Sequence, residues 1–386
     1  MTEKLYDYDA YLTEFTAQVI SCTPFQNGYM VILDKTAFFP EEGGQYSDRG
    51  TLSEANVFDV QLENGELIHY TDKPVKDAVC GKIDFRRRFR NMQNHTGEHI
   101  ISGLIHTLFG GENVGFHLGE DEVTCDYDIE LTSEQLKTVE IEANKAIYKN
   151  LCVSACYPNA EELKKTLYRS KKEIDEAIRI VTVDKVDCCA CCAPHVKNTG
   201  EIGVIKILSY MRLRGGCRLF IACGLDAFTD YSLKHEEIKS ISATLASKSY
   251  ECAQAVQKIN DSLKQTVREV NFLKTKVFEN KIENLAYSEN GLLIFTEDTD
   301  NNTLRSIVNL AKEKSPLLCS AFSGNDNDGY SFVLFSDSED INSLSKRIND
   351  TLCGHCGGKS PMLQGSMKCK REEIRNFFSK AEFVLF

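Results

Sequence analysis

The segment from residue 232 to residue 285 constrains this chain most, because it contains neither proline nor glycine. Its apolar residues recur in alternating steps of four and three, which is typical of one stripe on a long helix. The stripe comprises Cys252, Val256, Ile259, Leu263, Val270, Leu273 and Val277. We therefore predict a long helix or a helical hairpin whose stripe is buried against its own hairpin partner or against a second chain.

This helical segment divides the chain into predicted domains, and a length of 386 residues also exceeds the usual limit of a single core. Residues 1–90 alternate short β-rich runs with turns, which indicates a small barrel-like domain. Residues 91–230 begin with a helical pattern that ends at Gly110 and continue with strands, so they predict an α+β domain. Residues 231–285 form the helical or coiled-coil linker, and residues 286–386 predict a C-terminal α/β domain. The fold class is therefore α+β.

Composition excludes several classes of protein. The chain has ordinary hydrophobic and charged fractions, 42% and 26%, and it has no apolar run long enough to span a membrane. Its polar start lacks the apolar segment of a signal peptide, so its 16 cysteines favour a reducing cytoplasm in which thiols stay free or bind metal. A net charge of −12 excludes a general electrostatic affinity for nucleic acid.

Two local patches nevertheless carry an excess of basic residues. The first is the run around Arg86, Arg87 and Arg88, between residues 82 and 90, and the second is the tail from residue 359. Phosphate contacts and plain solvated surface would each explain such patches.

His95 and His99 lie four residues apart within the predicted helix. At this spacing both imidazoles project from one face, which suits two ligands of one metal ion, although an ordinary histidine pair has the same spacing. Glu98 precedes the second histidine instead of following the first. The metalloprotease pattern is therefore excluded, and the Glu98 carboxylate is expected to point off the metal face.

Residues 188–195, with the sequence CCACCAPH, hold four thiols and an imidazole. Tetrahedral zinc binds such mixtures of ligands. Together with His95 and His99, one of these cysteines and His195 would form a four-ligand site. A self-contained zinc finger lacks a second ligand pair nearby, and inert buried thiols are the remaining alternative.

His95-x-x-x-His99 followed far downstream by Cys191-x-x-x-His195 resembles the zinc signature of alanyl-tRNA synthetase editing domains, and threonyl-tRNA synthetase editing domains are similar. The second motif has Cys192, Ala193 and Pro194 where the family commonly has glycines. Cys192 therefore competes as a ligand, although the family's spacing favours Cys191. Further segments that resemble the family, in the same order, are 38–50, 114–119, 201–207 and 214–218.

The stretch 354–365 resembles the Gly-rich part of the DHH-associated domain, which ends alanyl-tRNA synthetases and the long free-standing editing proteins. An ordinary loop is the alternative for this stretch. No adenylation domain is expected before the editing region. The chain as a whole therefore resembles a free-standing alanyl-tRNA editing protein of the long AlaX type.

This resemblance implies that one Zn²⁺ per chain supports hydrolysis of the ester joining serine, and also glycine, to mischarged alanine tRNA. The implied metal ligands are His95, His99, Cys191 and His195. The implied catalytic residues are Gln45, Asp48, Thr96 and His117, and the substrate-binding residues are Gly43, Gly44, Gly215 and Gly216. The expected tRNA-binding residues are Arg86, Arg88, Gly357, Gly358 and Lys359.

Two other functions are compatible with the same residues. A closed four-ligand shell also suits a non-catalytic, zinc-stabilised protein that binds tRNA or other RNA. A related hydrolase could act on a different ester, such as a threonyl one. In each case we expect a cytoplasmic protein without membrane contact, and a homodimer formed through the helical linker and the C-terminal domain if the apolar stripe binds a second chain.

Overall fold

The computed structural model describes residues 2–170 and 178–386 and divides into two compact units, Met1–Lys239 and Ser240–Phe386. Helices and several separate sheets occur in it, which confirms the mixed α and β class in its coarse form. The finer division at residues 90, 230 and 285 stays a prediction. Within the described residues, no helix is both long enough and apolar enough to cross a lipid bilayer.

The first unit begins with short strands and one short helix. They are β1 (Glu3–Lys4), α1 (Leu5–Tyr8), β2 (Glu14–Phe25), β3 (Gly28–Leu33), β4 (Lys35–Thr36), β5 (Gly50–Leu52), β6 (Ala55–Glu63), β7 (Glu66–Thr71) and β8 (Ala78–Ile83). Six of these strands close into a barrel in the order β2-β3-β7-β6-β5-β8. Buried side chains such as Val31, Leu33 and Val60 fill its interior, since alternate residues of a strand face opposite sides.

Helix α2 (Phe85–Phe109) follows the barrel directly and carries both histidines of the first motif. The Asp84 side chain accepts a hydrogen bond from the backbone N–H of Arg87 and caps the helix start. Gly110, with φ 72°, ends it in the left-handed conformation. Most of the helix from Asn91 to Gly103 is buried, so α2 lies in the core of the first unit.

The rest of the first unit surrounds α2. Its elements are β9 (Asn113–Leu118), β10 (Val123–Tyr127), α3 (Ser133–Tyr148), β11 (Val153–Cys156), α4 (Ala160–Lys165), β12 (Ile180–Val183), β13 (Asp187–Ala190), β14 (Ile205–Leu213), β15 (Gly216–Cys223) and α5 (Leu225–Thr244), which extends past the unit boundary. Two antiparallel sheets have the orders β14-β15-β10-β9 and β11-β12-β13. Ile101 of α2, Val139 of α3 and Leu219 of β15 belong to one hydrophobic core.

The second unit contains a long helix and a six-stranded sheet. Its elements are α6 (Cys252–Glu283), β16 (Leu292–Thr296), α7 (Asn301–Ala311), β17 (Leu318–Asn325), β18 (Gly329–Ser336), α8 (Ile341–Thr351), β19 (Gly354–Lys359), β20 (Met362–Met367), α9 (Arg371–Phe377) and β21 (Glu382–Leu385). The strand order is β19-β20-β18-β17-β16-β21, so β19 lies at an edge of the sheet.

The segment 232–285 therefore contains the end of α5 and all of α6, which excludes one unbroken helix. Non-helical residues and a short 3₁₀ turn, Ser249–Glu251, separate the two helices. The apolar stripe of α6 is largely solvent-exposed. Val256, Ile259, Leu263, Val270, Leu273 and Val277 are each between 44% and 61% exposed.

Candidate metal centre

The structure brings four side chains from the two sequence motifs together. His95 and His99 project from one face of α2, as their spacing predicts, while Cys191 and His195 lie on the segment that leaves β13. Their potential ligand atoms all lie within 4.8 Å of one another. The Cys191 Sγ atom is 3.5 Å from His95 Nε2 and 3.3 Å from His195 Nε2.

This donor set fits a tetrahedral metal ion. Zinc bonds of about 2.0–2.1 Å to nitrogen and about 2.3 Å to sulfur place neighbouring tetrahedral ligands roughly 3.3–3.6 Å apart. The two sulfur–nitrogen distances around Cys191 agree with that spacing. All three histidines are buried, so a bound ion would be largely shielded from bulk water.

The outer nitrogen of each histidine has its own hydrogen-bond partner. His95 Nδ1 lies 3.0 Å from Gln45 Oε1, and His99 Nδ1 lies 2.8 Å from Asp187 Oδ2. His195 Nδ1 lies 3.0 Å from Thr96 Oγ1. All three partners offer oxygens that accept, which assigns a ring proton to Nδ1 and leaves each Nε2 atom as the nitrogen that would bind a metal ion.

The charge states of Cys191 and His195 also suit metal binding. Burial raises the pKa of Cys191, but the adjacent His95 and His195 outweigh burial and hold that pKa well below its ordinary value. Burial lowers the pKa of His195 to about 3. A thiolate and a neutral imidazole are the ligand forms that a divalent ion requires.

His99 and Asp187 support each other electrostatically. Burial lowers the pKa of His99, yet its hydrogen bond to Asp187 reverses the effect and the pKa lies well above its ordinary value. Burial raises the pKa of Asp187, whereas His99 and Arg169 lower it to about 2 overall. Asp187 is therefore an anion that makes the His99 imidazole a stronger base.

Neighbouring cysteines are less suited to bind the ion. Burial raises the pKa of Cys192, and Cys191, not Cys192, belongs to the group of four ligand atoms. His99, Asp187 and Cys189 form a second close group. Burial raises the pKa of Cys189 to about 11, and Asp187 already accepts from His99, so this second group lacks a thiolate and a free carboxylate.

The loop Gly43–Gly44–Gln45 lies against the site. Gly43 and Gly44 adopt positive φ angles of 64° and 82°. A Cβ atom on Gly44 would lie 2.2 Å from the Phe116 carbonyl oxygen, so only glycine permits this close approach to β9. The Phe116 ring in turn lies 4.7 Å from the His95 ring, measured between centroids.

Gln45 presents an unused donor beside the candidate metal ligands. Its side chain is fully buried, and its Oε1 atom is occupied by His95. Its Nε2 atom is buried and has no hydrogen-bond partner within the described part of the chain. Buried amides are normally satisfied, so an orphaned one beside a candidate site indicates a group that a ligand would complete.

Two predicted catalytic residues, Thr96 and Asp48, are buried and already hydrogen-bonded within the protein. Thr96 is fully buried; its hydroxyl donates to the Met92 carbonyl at 2.7 Å and accepts from His195 and from the Val196 N–H. Its hydrogen-bonding capacity is thus used, and one of these bonds orients the His195 ring. Asp48 is equally buried, and its carboxylate accepts from Arg88 and from the Phe39 N–H.

The expectation that Arg88 contacts tRNA is wrong. Its side chain has no exposed surface, and its guanidinium donates to Asp48 and to the carbonyls of Ala10 and Ala37. Arg86, two residues earlier, is exposed. Arg87 donates to the Ser47 carbonyl and pairs with Glu120. Arg86 is therefore more accessible to phosphate than Arg87.

The other predicted residues do not belong to the group of four ligand atoms. His117 is exposed on β9, and its ring lies edge-on to Tyr46 with 5.4 Å between centroids. Gly215 lies in the turn between β14 and β15, and Gly216 is the first residue of β15. Gly357, Gly358 and Lys359 are exposed on the edge strand β19 of the second unit.

The position expected for Glu98 is also wrong. Its carboxylate is buried and lies 4.0 Å from His99 Nε2, the nitrogen that faces the other candidate ligands. It accepts a hydrogen bond of 2.7 Å from Ser102. The spacing in the sequence places the Cα atoms of α2, but the direction of this long side chain depends on its neighbours.

The sequence interpretation missed Asp187, Arg169 and Phe116. An acidic residue directly before the cysteine cluster is a usable signal for Asp187, because metal-binding histidines commonly donate to a carboxylate. Arg169 lies 18 residues before Asp187 and pairs with Cys189 in an isolated β-bridge. No local sequence pattern marks it. Phe116 was part of a recognised segment but had no assigned role.

Comparisons with known proteins show which proteins this chain resembles. A family model described as "Threonyl and Alanyl tRNA synthetase second additional domain" matches residues 178–219, which include Cys191 and His195. The "Alanyl-tRNA editing protein AlaX-L" of Pyrococcus horikoshii is 28% identical, and the match covers 97% of this chain and 96% of that protein. The chain resembles the free-standing alanyl-tRNA editing proteins.

Two further relatives extend this resemblance. "Alanyl-tRNA editing protein Aarsd1-A" of Xenopus laevis is 27% identical over 96% of each chain. "Alanine--tRNA ligase" of Pyrococcus abyssi is 27% identical over 95% of this chain but only 42% of its own length. The similarity to alanyl-tRNA editing proteins therefore extends over both units of the structure.

Proposed function

We propose that this protein is an aminoacyl-tRNA hydrolase that acts in trans and removes serine, and also glycine, from mischarged alanine tRNA. The observation that carries the proposal is the convergence of His95, His99, Cys191 and His195 beside the unpaired amide of Gln45. Relatives that match nearly the whole chain are named alanyl-tRNA editing proteins, which supports the same reaction class.

The proposed cofactor is one Zn²⁺ per chain. Three neutral imidazoles and one thiolate would leave the ion a net charge of +1, with four protein ligands. When bound, it would order the pocket and position the substrate's amino group or a water molecule. Gln45, Thr96 and Asp187 would keep the three imidazoles in the tautomer that such an ion needs.

Selectivity for serine follows from hydrogen bonding. A synthetase pocket for alanine rejects a similar side chain with an added hydroxyl by only about 10²-fold, whereas a site that hydrogen-bonds the hydroxyl reaches ~10⁴ or more. The Gln45 Nε2 donor is the buried group of this site that can bind the serine hydroxyl. An alanyl ester would leave that donor unpaired, and correctly charged tRNA would be spared. A glycyl ester lacks the hydroxyl as well, so this contact accounts for the release of serine and not for that of glycine.

The proposed tRNA contacts begin at Arg86, near the start of α2. A cavity of about 450 Å³ adjoins it and is also lined by Arg49, Arg87 and Arg90, together with Asp84, Glu120 and Asp226. Arg90 is paired with Asp226 at 2.7 Å, so Arg86 is the more available phosphate ligand. In the second unit, exposed Gly357, Gly358 and Lys359 of β19 remain the proposed contacts with the tRNA body.

We further propose a homodimer formed through α6. Exposed apolar side chains such as Leu263, Val270 and Leu273 recur at coiled-coil spacing along its surface. Leaving such a stripe in water is unfavourable by roughly 25 cal/mol per Å² of apolar surface. A second copy of the same helix supplies a matching stripe.

The decisive experiment compares deacylation of alanine tRNA charged with serine, glycine or alanine by the zinc-loaded protein. We expect fast release of serine and no release of alanine. Gln45→Glu keeps an oxygen that accepts from His95 and removes the Nε2 donor, so serine release should fall while zinc content is retained. A protein that binds these tRNAs but deacylates none of them would instead be a non-catalytic RNA-binding protein.

A further inference from the structure

His99 differs from the other two candidate histidine ligands, His95 and His195, in the chemical group that accepts the hydrogen bond from its Nδ1 atom. An uncharged amide oxygen accepts from His95, and an uncharged hydroxyl accepts from His195. The carboxylate of Asp187 accepts from His99 at 2.8 Å. Charge-assisted hydrogen bonds are the stronger kind, so His99 is oriented by the strongest of the three outer contacts.

Arg169 holds this carboxylate in place. Its Nε atom donates to Asp187 Oδ1 at 2.8 Å, and its Nη2 atom donates to Asp187 Oδ2 at 2.9 Å. The side chains are 10% and 2% exposed, so the pair is largely removed from water. Two parallel hydrogen bonds fix both the position and the rotation of the carboxylate.

The backbone of Arg169 is fixed to the same strand that carries Asp187. The Arg169 N–H donates to the Cys188 carbonyl at 2.8 Å, and the Arg169 carbonyl accepts from the Ala190 N–H at 2.9 Å. Strand β13 continues directly into Cys191. The residue that orients Asp187 is therefore paired with the strand that also delivers a candidate metal ligand.

Helix α2 approaches the start of this strand closely at Gly103. A Cβ atom on Gly103 would lie 2.4 Å from the Val186 carbonyl oxygen and 2.8 Å from the Asp187 Cβ atom. Gly103 lies four residues after His99 and therefore on the same face of α2. The absence of a side chain at this position brings Asp187 within hydrogen-bonding distance of His99.

We propose that Asp187 and Arg169 are positioning residues for the metal ligand His99, with Arg169 acting through Asp187. Asp187 keeps the ring proton on Nδ1, so the Nε2 lone pair faces the other three ligands. Arg169 prevents the carboxylate from rotating away. This inference rests on the metal site proposed above and assigns part of its affinity to two residues outside both ligand motifs.

Zinc affinity of the full-length protein, measured by competition with a chromophoric chelator, tests this proposal without using activity. Because loss of such outer contacts typically costs 10–100-fold in metal affinity, Asp187→Ala should weaken zinc binding by about that factor. Arg169→Ala should weaken it by a smaller factor, and Arg169→Lys, which restores one donor and the charge, should lie between Arg169→Ala and the wild type.

The double variant distinguishes positioning from a general structural role. If Arg169 acts only through Asp187, adding Arg169→Ala to Asp187→Ala should cause no further loss of zinc affinity. Arg218→Ala is the control. Arg218 also donates two hydrogen bonds of 2.7 Å to one carboxylate, that of Asp126, and Asp126 accepts from none of the three candidate histidines. The zinc affinity of this control should equal that of the wild type.

Asp187→Asn, which preserves volume and one acceptor oxygen, replaces the alanine variant if that variant does not fold. Wild-type zinc affinity in both Arg169→Ala and Asp187→Asn would overturn the proposal, and so would additive losses in the double variant. A wild-type protein that binds no zinc would refute the metal site itself. Expected zinc affinities without ester hydrolysis would refute only the proposed reaction.

Discussion

Arg88 and Asp48 form an ion pair in which neither side chain has exposed surface. The Arg88 Nε atom lies 3.0 Å and 2.9 Å from the two Asp48 carboxylate oxygens. The remaining guanidinium nitrogens donate to the carbonyls of Ala10 and Ala37, and Asp48 also accepts from the Phe39 N–H at 2.7 Å. The pair thus joins α2 to the segment between β4 and β5, which contains Ala37, Phe39 and Asp48, and to Ala10 before β2.

Arg88→Ala should destabilise the protein by about 3–5 kcal/mol, because removing one partner leaves a buried charge without compensation. Urea titration followed by circular dichroism measures the loss. The double variant Arg88→Met/Asp48→Leu removes both charges and should unfold at a higher urea concentration than Arg88→Ala. If Arg88→Ala instead lowered tRNA affinity without a change in stability, the structural role given to Arg88 would be wrong.

Cys191→Ala should lower the zinc content well below one ion per chain and abolish deacylation, because it removes the proposed thiolate ligand. Cys192→Ala is the matched control: it removes a thiol that lies beside Gly43, outside the group of four ligand atoms. Atomic absorption of the purified proteins gives the zinc content. A severe loss in Cys192→Ala with little loss in Cys191→Ala would assign the ligand to Cys192.

His69 should make the stability of the protein depend on pH between about 4 and 6.5. It is fully buried, accepts from the Thr36 hydroxyl and donates to the Val31 carbonyl, and burial lowers its pKa to about 4. Below pH 6.5 the unfolded chain therefore binds a proton that the folded chain does not. The contribution to stability is complete above pH 6.5 and is lost as the pH falls toward 4.

The size of this effect is roughly 3 kcal/mol, since each pKa unit corresponds to about 1.4 kcal/mol. The variant His69→Gln keeps a donor and an acceptor but cannot titrate, so its urea midpoint should change less over this pH range than that of the wild type. Equal pH slopes in both proteins would show that His69 does not contribute.

Arg86→Ala should weaken tRNA binding and flatten the dependence of the binding constant on salt, because each phosphate contact releases counterions. Zinc content and stability should stay unchanged, since Arg86 is exposed. Filter binding at several salt concentrations gives the slope. Lys137→Ala removes an exposed charge on α3 and serves as the control; an Arg86→Ala slope equal to that of the control would make Arg86 ordinary surface.

Leu263→Glu should convert the proposed dimer into a monomer, because it places a charge in the apolar stripe of α6. Gln265→Glu adds the same charge on the opposite side of the helix and should leave the dimer intact. Sedimentation velocity over a range of concentrations separates the two species. A wild-type protein that stays monomeric at high concentration would contradict the proposed contact.

Local signals in the sequence predicted the elements that carry the site. The pattern before Gly110 predicted α2, and the spacing of His95 and His99 placed both on one face, because helical periodicity depends on neighbouring residues. The same periodicity predicted the apolar stripe of α6. The motif with Cys191 and His195 indicated ligands for the same ion, although no local rule brings it to α2.

Only the tertiary structure decided which polar side chains lie beside the candidate metal ligands and which are enclosed elsewhere. Asp48, Arg88 and Thr96 have the chemistry of functional residues, yet each is enclosed by partners that lie far away in the sequence. Glu98 turned out to lie near His99 for the same reason. Burial and hydrogen bonding depend on packing between distant segments, which local pattern does not determine.

The sequence by itself determined the helical and strand patterns, the spacing of the four candidate ligands and the resemblance to alanyl-tRNA editing proteins. Tertiary structure decided that Gln45, Asp187 and Thr96 hold the three histidines, and that Arg169 holds Asp187. The physical reason is distance along the chain. These contacts join α2 to Gln45, which lies between β4 and β5, and to the segment 187–195, and they join that segment to Arg169. Such residues meet only when the intervening backbone has folded.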